Sequence, residues 1–143
     1  MTMGNAIQHA MIGASASFSK TISESDIYMF AGISGDFHPF HVDEEYARKN
    51  GSKGRIAHGL LTLSLFSTVG TLVNGRYPVP TVAYGYERIR FLKPVYIGDT
   101  ITATYLVTEK DEPKSVTYAD CTCTNQDGET VLVAKHITKF LDV

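Results

Sequence analysis

Two periodicities divide the chain. In the first half apolar positions recur every three to four residues, and in the second they alternate with polar ones. Ile27, Phe30 and Ala31 share one apolar face behind Ser23, whose hydroxyl suits a helix N-cap. Glu24 and Asp26 then fall at the positive end of the helix dipole. Gly32 and Gly35 are expected to stop this helix. Asp43 is expected to cap a second, short helix running through Arg48 and ended by Asn50-Gly51. Leu60 to Val73 reads as a central helix. Its apolar positions Leu61, Leu65, Phe66, Val69, Leu72 and Val73 form a band too wide for a surface helix, so it should be largely buried. Ser64, Ser67, Thr68 and Thr71 fall on a single face of it, where small hydroxyl side chains permit close approach of a sheet or a ligand.

From Thr81 onward the pattern is that of strands. β-rich runs cover Thr81–Leu92, Thr100–Lys110, Lys114–Thr124 and Glu129–Phe140. Turn signals separate them: Lys93-Pro94 with Ile97-Gly98-Asp99, then Asp111-Glu112-Pro113, then Asn125-Gln126-Asp127-Gly128. Ile101, Ala103, Tyr105 and Val107 alternate with Thr100, Thr102, Thr104 and Thr108, as in a half-buried antiparallel strand. A fifth strand is predicted around Ala16–Thr21, ahead of the first helix. The expected fold is α+β, an antiparallel sheet of about five strands around one buried helix, in a single domain over residues 1–143. Residues 1–15 are expected to be a loosely ordered N-terminal segment. A five-stranded sheet around one helix leaves edges uncovered, so a homodimer or a dimer of dimers is expected.

Composition narrows the function classes. Of 143 residues, 43% are hydrophobic and 20% charged, which fits one soluble domain. The net charge of −2, without runs of like charge, gives no basis for binding nucleic acid or a membrane surface. No stretch approaches the ~20 apolar residues of a membrane span, and Met1 to Ser17 lacks the pattern of a signal peptide. Cys121 and Cys123 are two apart and, in a strand, would share a face without forming an ordinary disulfide. A reducing cytoplasm is the expected location.

Chemistry concentrates in Phe30-Ala-Gly-Ile-Ser-Gly-Asp-Phe-His-Pro-Phe-His41. Pro39 disfavours helix at His38 and Gly35 breaks the helix before it, so Asp36 and His41 are expected on a short irregular loop between two helices. A carboxylate beside an imidazole is a natural acid–base pair: one holds a water while the other moves a proton. Asp36 alone could equally cap a turn. Asp36, His38, His41 and His58 could also gather round a metal, although their spacing matches no helical ligand pair. His58 reads better as a capping or structural histidine, and His9 and His136 as ordinary surface or strand residues.

Ser-Gly-Asp-x-x-Pro-x-His, followed by an aliphatic and an acidic residue, resembles the MaoC-like (R)-specific enoyl-CoA hydratases. Arg55-Ile-Ala-His-Gly-Leu-Leu61, Ser64-Leu-Phe-Ser67 and Arg90-Phe-Leu-Lys-Pro-Val-Tyr-Ile-Gly-Asp99 are similar to that family too, in order along the chain from Phe18 onward. The resemblance implies a hotdog fold, a curved antiparallel sheet wrapped around a central helix. It implies a hydro-lyase that interconverts a trans-2-enoyl-CoA and a (R)-3-hydroxyacyl-CoA, with no cofactor. It also implies that Asp36 and His41 are the catalytic pair, that the Gly59 amide contacts the thioester carbonyl, and that Ser67 lies near the site. The family usually carries Asn at the position of His38 and a smaller aliphatic residue at that of Phe40. His38 therefore adds a titratable group beside the pair, and Phe40 is expected to narrow the acyl pocket. Lys53, Arg55, Arg88, Arg90 and Lys93 are candidates for holding coenzyme A phosphates. A hotdog thioesterase and a hydratase of branched or carboxylated enoyl-CoA are the alternatives.

Overall fold

The computed structural model describes residues 5–143, and residues 1–4 of the segment expected to be loose lie outside it. Part of the rest of that segment is packed, contrary to expectation. Ala6–His9 form a 3-10 turn whose Ala6 and Ile7 are buried, together with Ala10, against Phe140. Three apolar side chains in five residues are enough to order a segment that has a strand end to bury against.

Five strands form one antiparallel sheet in the order β1-β3-β4-β5-β2: β1 is Ser15–Thr21, β2 Thr81–Phe91, β3 Thr100–Asp111, β4 Val116–Thr124 and β5 Thr130–Phe140. The strands expected from alternation are present within a residue or two of their expected ends. β3, β4 and β5 bury alternate residues, among them Ile101, Ala103, Tyr105, Ala119, Cys121, Cys123 and Leu132. Burial pushes both cysteine thiols up to about 12, so they stay protonated. β2 is an edge strand with register shifts at Ala83/Gly85 and Glu87/Arg90, and Arg88 adopts a φ of 54° at the second.

The helices are α1 Glu24–Ser34, α2 Pro39–Val42, α3 Glu44–Lys49, α4 Gly59–Leu63 and α5 Leu65–Asn74. Ser23 caps α1 through a reciprocal pair of bonds with Asp26. Gly35, at φ 79°, ends it, whereas Gly32 lies inside the helix rather than stopping it. Asp43 caps α3 by accepting from the Tyr46 amide.

The central helix is two helices. Ser64 donates its hydroxyl to the Leu61 carbonyl, and the Ser67 amide reaches only three residues back to Ser64, so the chain tightens there and restarts as α5. The α5 face turned to β1 and β3 carries Phe66, Val69 and Val73, while Ser64, Ser67 and Thr71 are exposed. The hydroxyl stripe thus lies off the face of α5 that packs on β1 and β3, because burying the aliphatic stripe there is worth more. Among the described residues no helix is long and apolar enough to cross a membrane.

Candidate active site

Asp36 and His41 meet where expected, but the segment between them is ordered differently. Pro39 begins a helical turn, α2, instead of holding the chain irregular. A proline at the first helical position loses no bond, and its φ suits the helix. His38 caps this turn, its Nδ1 accepting from the Phe40 amide. Asp36 Oδ1 accepts from the His38 amide at 3.2 Å, which leaves Oδ2 free to face His41. Asp36 Oδ2 and His41 Nε2 lie 3.9 Å apart.

Both tautomers follow from carbonyl partners, since a carbonyl only accepts. His41 Nδ1 donates to the Ile56 carbonyl at 2.8 Å, so its Nε2 carries a lone pair toward Asp36. His58 Nε2 donates to the Asp36 carbonyl at 2.8 Å. The two imidazoles stack with centroids 3.8 Å apart, and Phe30 packs on the other ring at 4.8 Å. Burial lowers the pKa of His41, and His58 and His38 push the same way. The Ile56 carbonyl and the Asp36 carboxylate oppose that shift without reversing it. His41 is accordingly neutral near neutral pH, as a proton acceptor must be.

His41 opens on a cavity of about 440 Å³, walled by Gly59 and Leu60 of α4, by Phe91 and Leu92, and by Val131 and Leu132 of β5. The Leu61 and Thr62 amides bond the His58 carbonyl, and Gly59 and Leu60, ahead of them at the start of α4, line that space. A side chain on Gly59 would begin 2.7 Å from Phe91 Cε1, so this ring lies directly over the glycine.

The remaining expected residues separate from this cavity. Ser67 lines a second cavity, which runs along α5 with Gly70, Thr71 and Asn74 in its wall. Phe40 stacks on His38 at 5.5 Å and meets Tyr46 edge-on at 5.3 Å, outside the lining of the His41 cavity. Arg55 is unavailable for phosphate, since it is tied to Glu24, Glu44 and the Tyr28 hydroxyl and only 14% of its side chain is exposed. Lys93 stands at the cavity edge paired with Glu129. His58 is the residue that sequence reasoning undervalued; an aromatic stack between residues 41 and 58 leaves no trace in local pattern. Candidate ligand atoms of Asp36, His41 and His58 lie within 4.8 Å of one another. One nitrogen of each histidine is already committed to a carbonyl.

Residues 6–126 match the family described as MaoC like domain. The chain is 50% identical over 113 residues to an (R)-specific enoyl-CoA hydratase of Rhodospirillum rubrum, covering 78% of this chain and 76% of that one. It is 30% identical over 133 residues to the (R)-specific enoyl-CoA hydratase of Aeromonas caviae, covering 93% of this chain and 97% of that one. Among solved structures, the unliganded R-hydratase of Pseudomonas aeruginosa superimposes with a TM-score of 0.82 at 31% identity, over 97% of this chain and 87% of that one.

Proposed function

Since this chain belongs to the MaoC-like domain family, with the hotdog fold, we propose that it hydrates a trans-2-enoyl-CoA to the (R)-3-hydroxyacyl-CoA, and catalyses the reverse. The observation that carries the reading is the 3.9 Å gap between Asp36 Oδ2 and His41 Nε2, with His41 lining a cavity together with Gly59. One water fits between two acceptors so spaced, hydrogen-bonded to both. Its oxygen bonds to the β-carbon of the enoyl group while neutral His41 Nε2 takes one of its protons. The electron pair of the double bond moves to the α-carbon and the thioester carbonyl. The amide at Gly59 stabilises the resulting enolate oxygen, and Asp36 holds the water and steadies the imidazolium. Return of that proton to the α-carbon completes the addition. The (R) outcome and the CoA carrier rest on the relatives' names.

We assign a homodimer, or a dimer of dimers, built on β2. That strand is a sheet edge, and Val82, Tyr84 and Phe91 on it are exposed apolar side chains. Free, buried thiols at Cys121 and Cys123 agree with a reducing cytoplasm.

The test is loss of the enoyl-thioester ultraviolet absorbance on a panel of trans-2-enoyl-CoA substrates, with free thiol measured in parallel. Hydration without thiol release is expected. Thiol release at the same rate overturns the reading in favour of a thioesterase.

A further inference from the structure

Of the side chains gathered round the acid–base pair, that of His58 takes no part in the hydration step. It stands at the N-cap of α4, yet its side chain makes no capping bond to that helix. The residue is only 2% exposed and lies outside the lining of the His41 cavity. Burial strips water from both ring nitrogens, and only Nε2 finds a partner; Nδ1 has none among the described residues. An aromatic hydrocarbon ring would fill the same space without that cost, so packing alone does not account for a histidine here.

The Nε2 bond reaches one member of the pair. Asp36 is otherwise held within its own turn: its amide donates to Ser34 Oγ at 3.1 Å, and its Oδ1 accepts from the His38 amide at 3.2 Å. It follows Gly35, at φ 79°, where the backbone is least restricted. Among the described residues, the 2.8 Å bond from His58 Nε2 to the Asp36 carbonyl is the one hydrogen bond that ties Asp36 to a distant part of the chain.

The ring reaches the other member. His58 and His41 stack with centroids 3.8 Å apart and planes 23° from parallel, and Phe30 packs against His58 at 4.8 Å. The Ile56 carbonyl fixes His41 Nδ1, which leaves the imidazole free to turn about that bond. A flat ring against its face removes this freedom and so aims Nε2 at Asp36.

We propose that His58 is a positioning residue for hydration, its Nε2–H tethering the Asp36 carbonyl and its ring backing His41, so that one buried side chain sets both sides of the 3.9 Å gap. The inference rests on the hydratase reading.

The experiment measures kcat and KM on a short trans-2-enoyl-CoA for the whole protein and two variants that separate the tether from the ring. His58→Phe keeps a ring against His41 and loses the donor. A displacement of about 1 Å costs on the order of 10² in rate, so kcat is expected to fall roughly tenfold to a hundredfold, with KM little changed because His58 does not line the cavity. His58→Gln carries an amide hydrogen that reaches the Asp36 carbonyl, and is expected to recover most of the lost kcat while staying below wild type for want of the stack. In an Asp36→Asn background His58→Phe is expected to cost little more, since the carboxylate it positions is already gone. Wild-type kcat in His58→Phe, whatever its melting temperature, overturns the proposal. So does a loss carried by KM alone, a His58→Gln no better than His58→Phe, or a full further loss on top of Asp36→Asn. If either variant does not fold, NMR of isotope-labelled histidine in the wild type decides. A slowly exchanging hydrogen on His58 Nε2 is expected, and the Nδ1–H tautomer overturns the tether. A wild type that hydrates no enoyl-CoA overturns the hydratase reading itself, whereas every result above leaves it standing.

Discussion

Replacing Asp36 by Asn keeps the size of the side chain and removes its charge, and two consequences of different magnitude follow. The first is chemical. A positioned acid–base group is worth ~10²–10⁴ in rate, so hydration should fall by at least two orders of magnitude. The second is electrostatic. Unit charges 3.9 Å apart interact by ~1 kcal/mol in water and ~4 kcal/mol at an effective dielectric of 20. More than half of the Asp36 side chain is exposed, so the aqueous figure applies, and it is worth less than about one pH unit. The carboxylate holds the His41 pKa up against burial, so removing it lets that pKa fall further. The neutral imidazole is the active form and its pKa already lies below 6.5, so the wild-type acid limb of kcat/KM lies below 6.5. In Asp36→Asn the limb should move to lower pH by less than a unit, on a rate at least two orders lower. His41→Ala should abolish that limb, and the double variant should be scarcely worse than the worse single one, since both groups act on one water. The assay is the hydration rate on short enoyl-CoA across pH, with circular dichroism to verify folding. Most of the wild-type rate surviving in Asp36→Asn, or a limb that moves up in pH, refutes the mechanism.

Gly59→Val should cost ~10²–10³ in turnover with the fold retained, because its Cβ would stand 2.7 Å from Phe91 Cε1 and crowd the free amides; near-normal turnover removes Gly59 from the site. His136 makes the fold acid-sensitive. Its folded pKa of about 4 lies below the unfolded value of about 6.5, so the unfolded chain takes up the extra proton and stability falls as pH drops through that window, by up to about 3 kcal/mol. Denaturant titrations should show His136→Phe flattening that loss, and an unchanged slope would count against it. Tyr84→Lys, at an exposed apolar position of edge strand β2, should shift the protein toward monomer in light scattering, and an unaltered mass would direct attention to another face. Treatment with a chelator should leave the rate unchanged; loss of activity restored by zinc would turn Asp36, His41 and His58 into a metal site.

The strands were legible because two signals coincide in them. Alternation marked β3, and the Asn125–Gly128 cluster marked the turn before β5, where Asn125 Oδ1 accepts from the amides of Asp127 and Glu129. The Ser23 cap was legible because capping is local chemistry. What failed was reading one residue for one effect. Proline disfavours helix before it, which predicts a break at Pro39, but the same ring favours helix after it. The hydroxyl stripe of α5 was identified as a single face, yet periodicity does not say which of two faces is buried. That depended on Phe66, Val69 and Val73 meeting the sheet. Arg55 looked free for phosphate because its partners, Glu24 and Glu44, lie far away in sequence.

The departures at His38 and Phe40 become intelligible once the bonds that position the pair are traced. They come from the five residues Arg55 to Gly59, mostly through backbone groups. The Ile56 amide bonds the Phe40 carbonyl, the Ile56 carbonyl takes the His41 Nδ1 proton, and His58 Nε2 holds the Asp36 carbonyl. Ala57 in turn bonds Val95, and Arg55 ties α1 to α3 through Glu24 and Glu44. This short stretch therefore fixes both ends of the Asp36–His41 segment before presenting Gly59 to the same cavity. Of the side chains between the pair, those of His38 and Phe40 stack on each other and against Tyr46, outside the lining of the His41 cavity. Substitution at those two positions can change the outer surface of the turn while the carbonyl contacts keep Asp36 and His41 at one water's width. The same geometry accounts for a mild expected effect of His38→Asn beside the large one at Asp36, because the cap that His38 supplies is one an asparagine oxygen can also make.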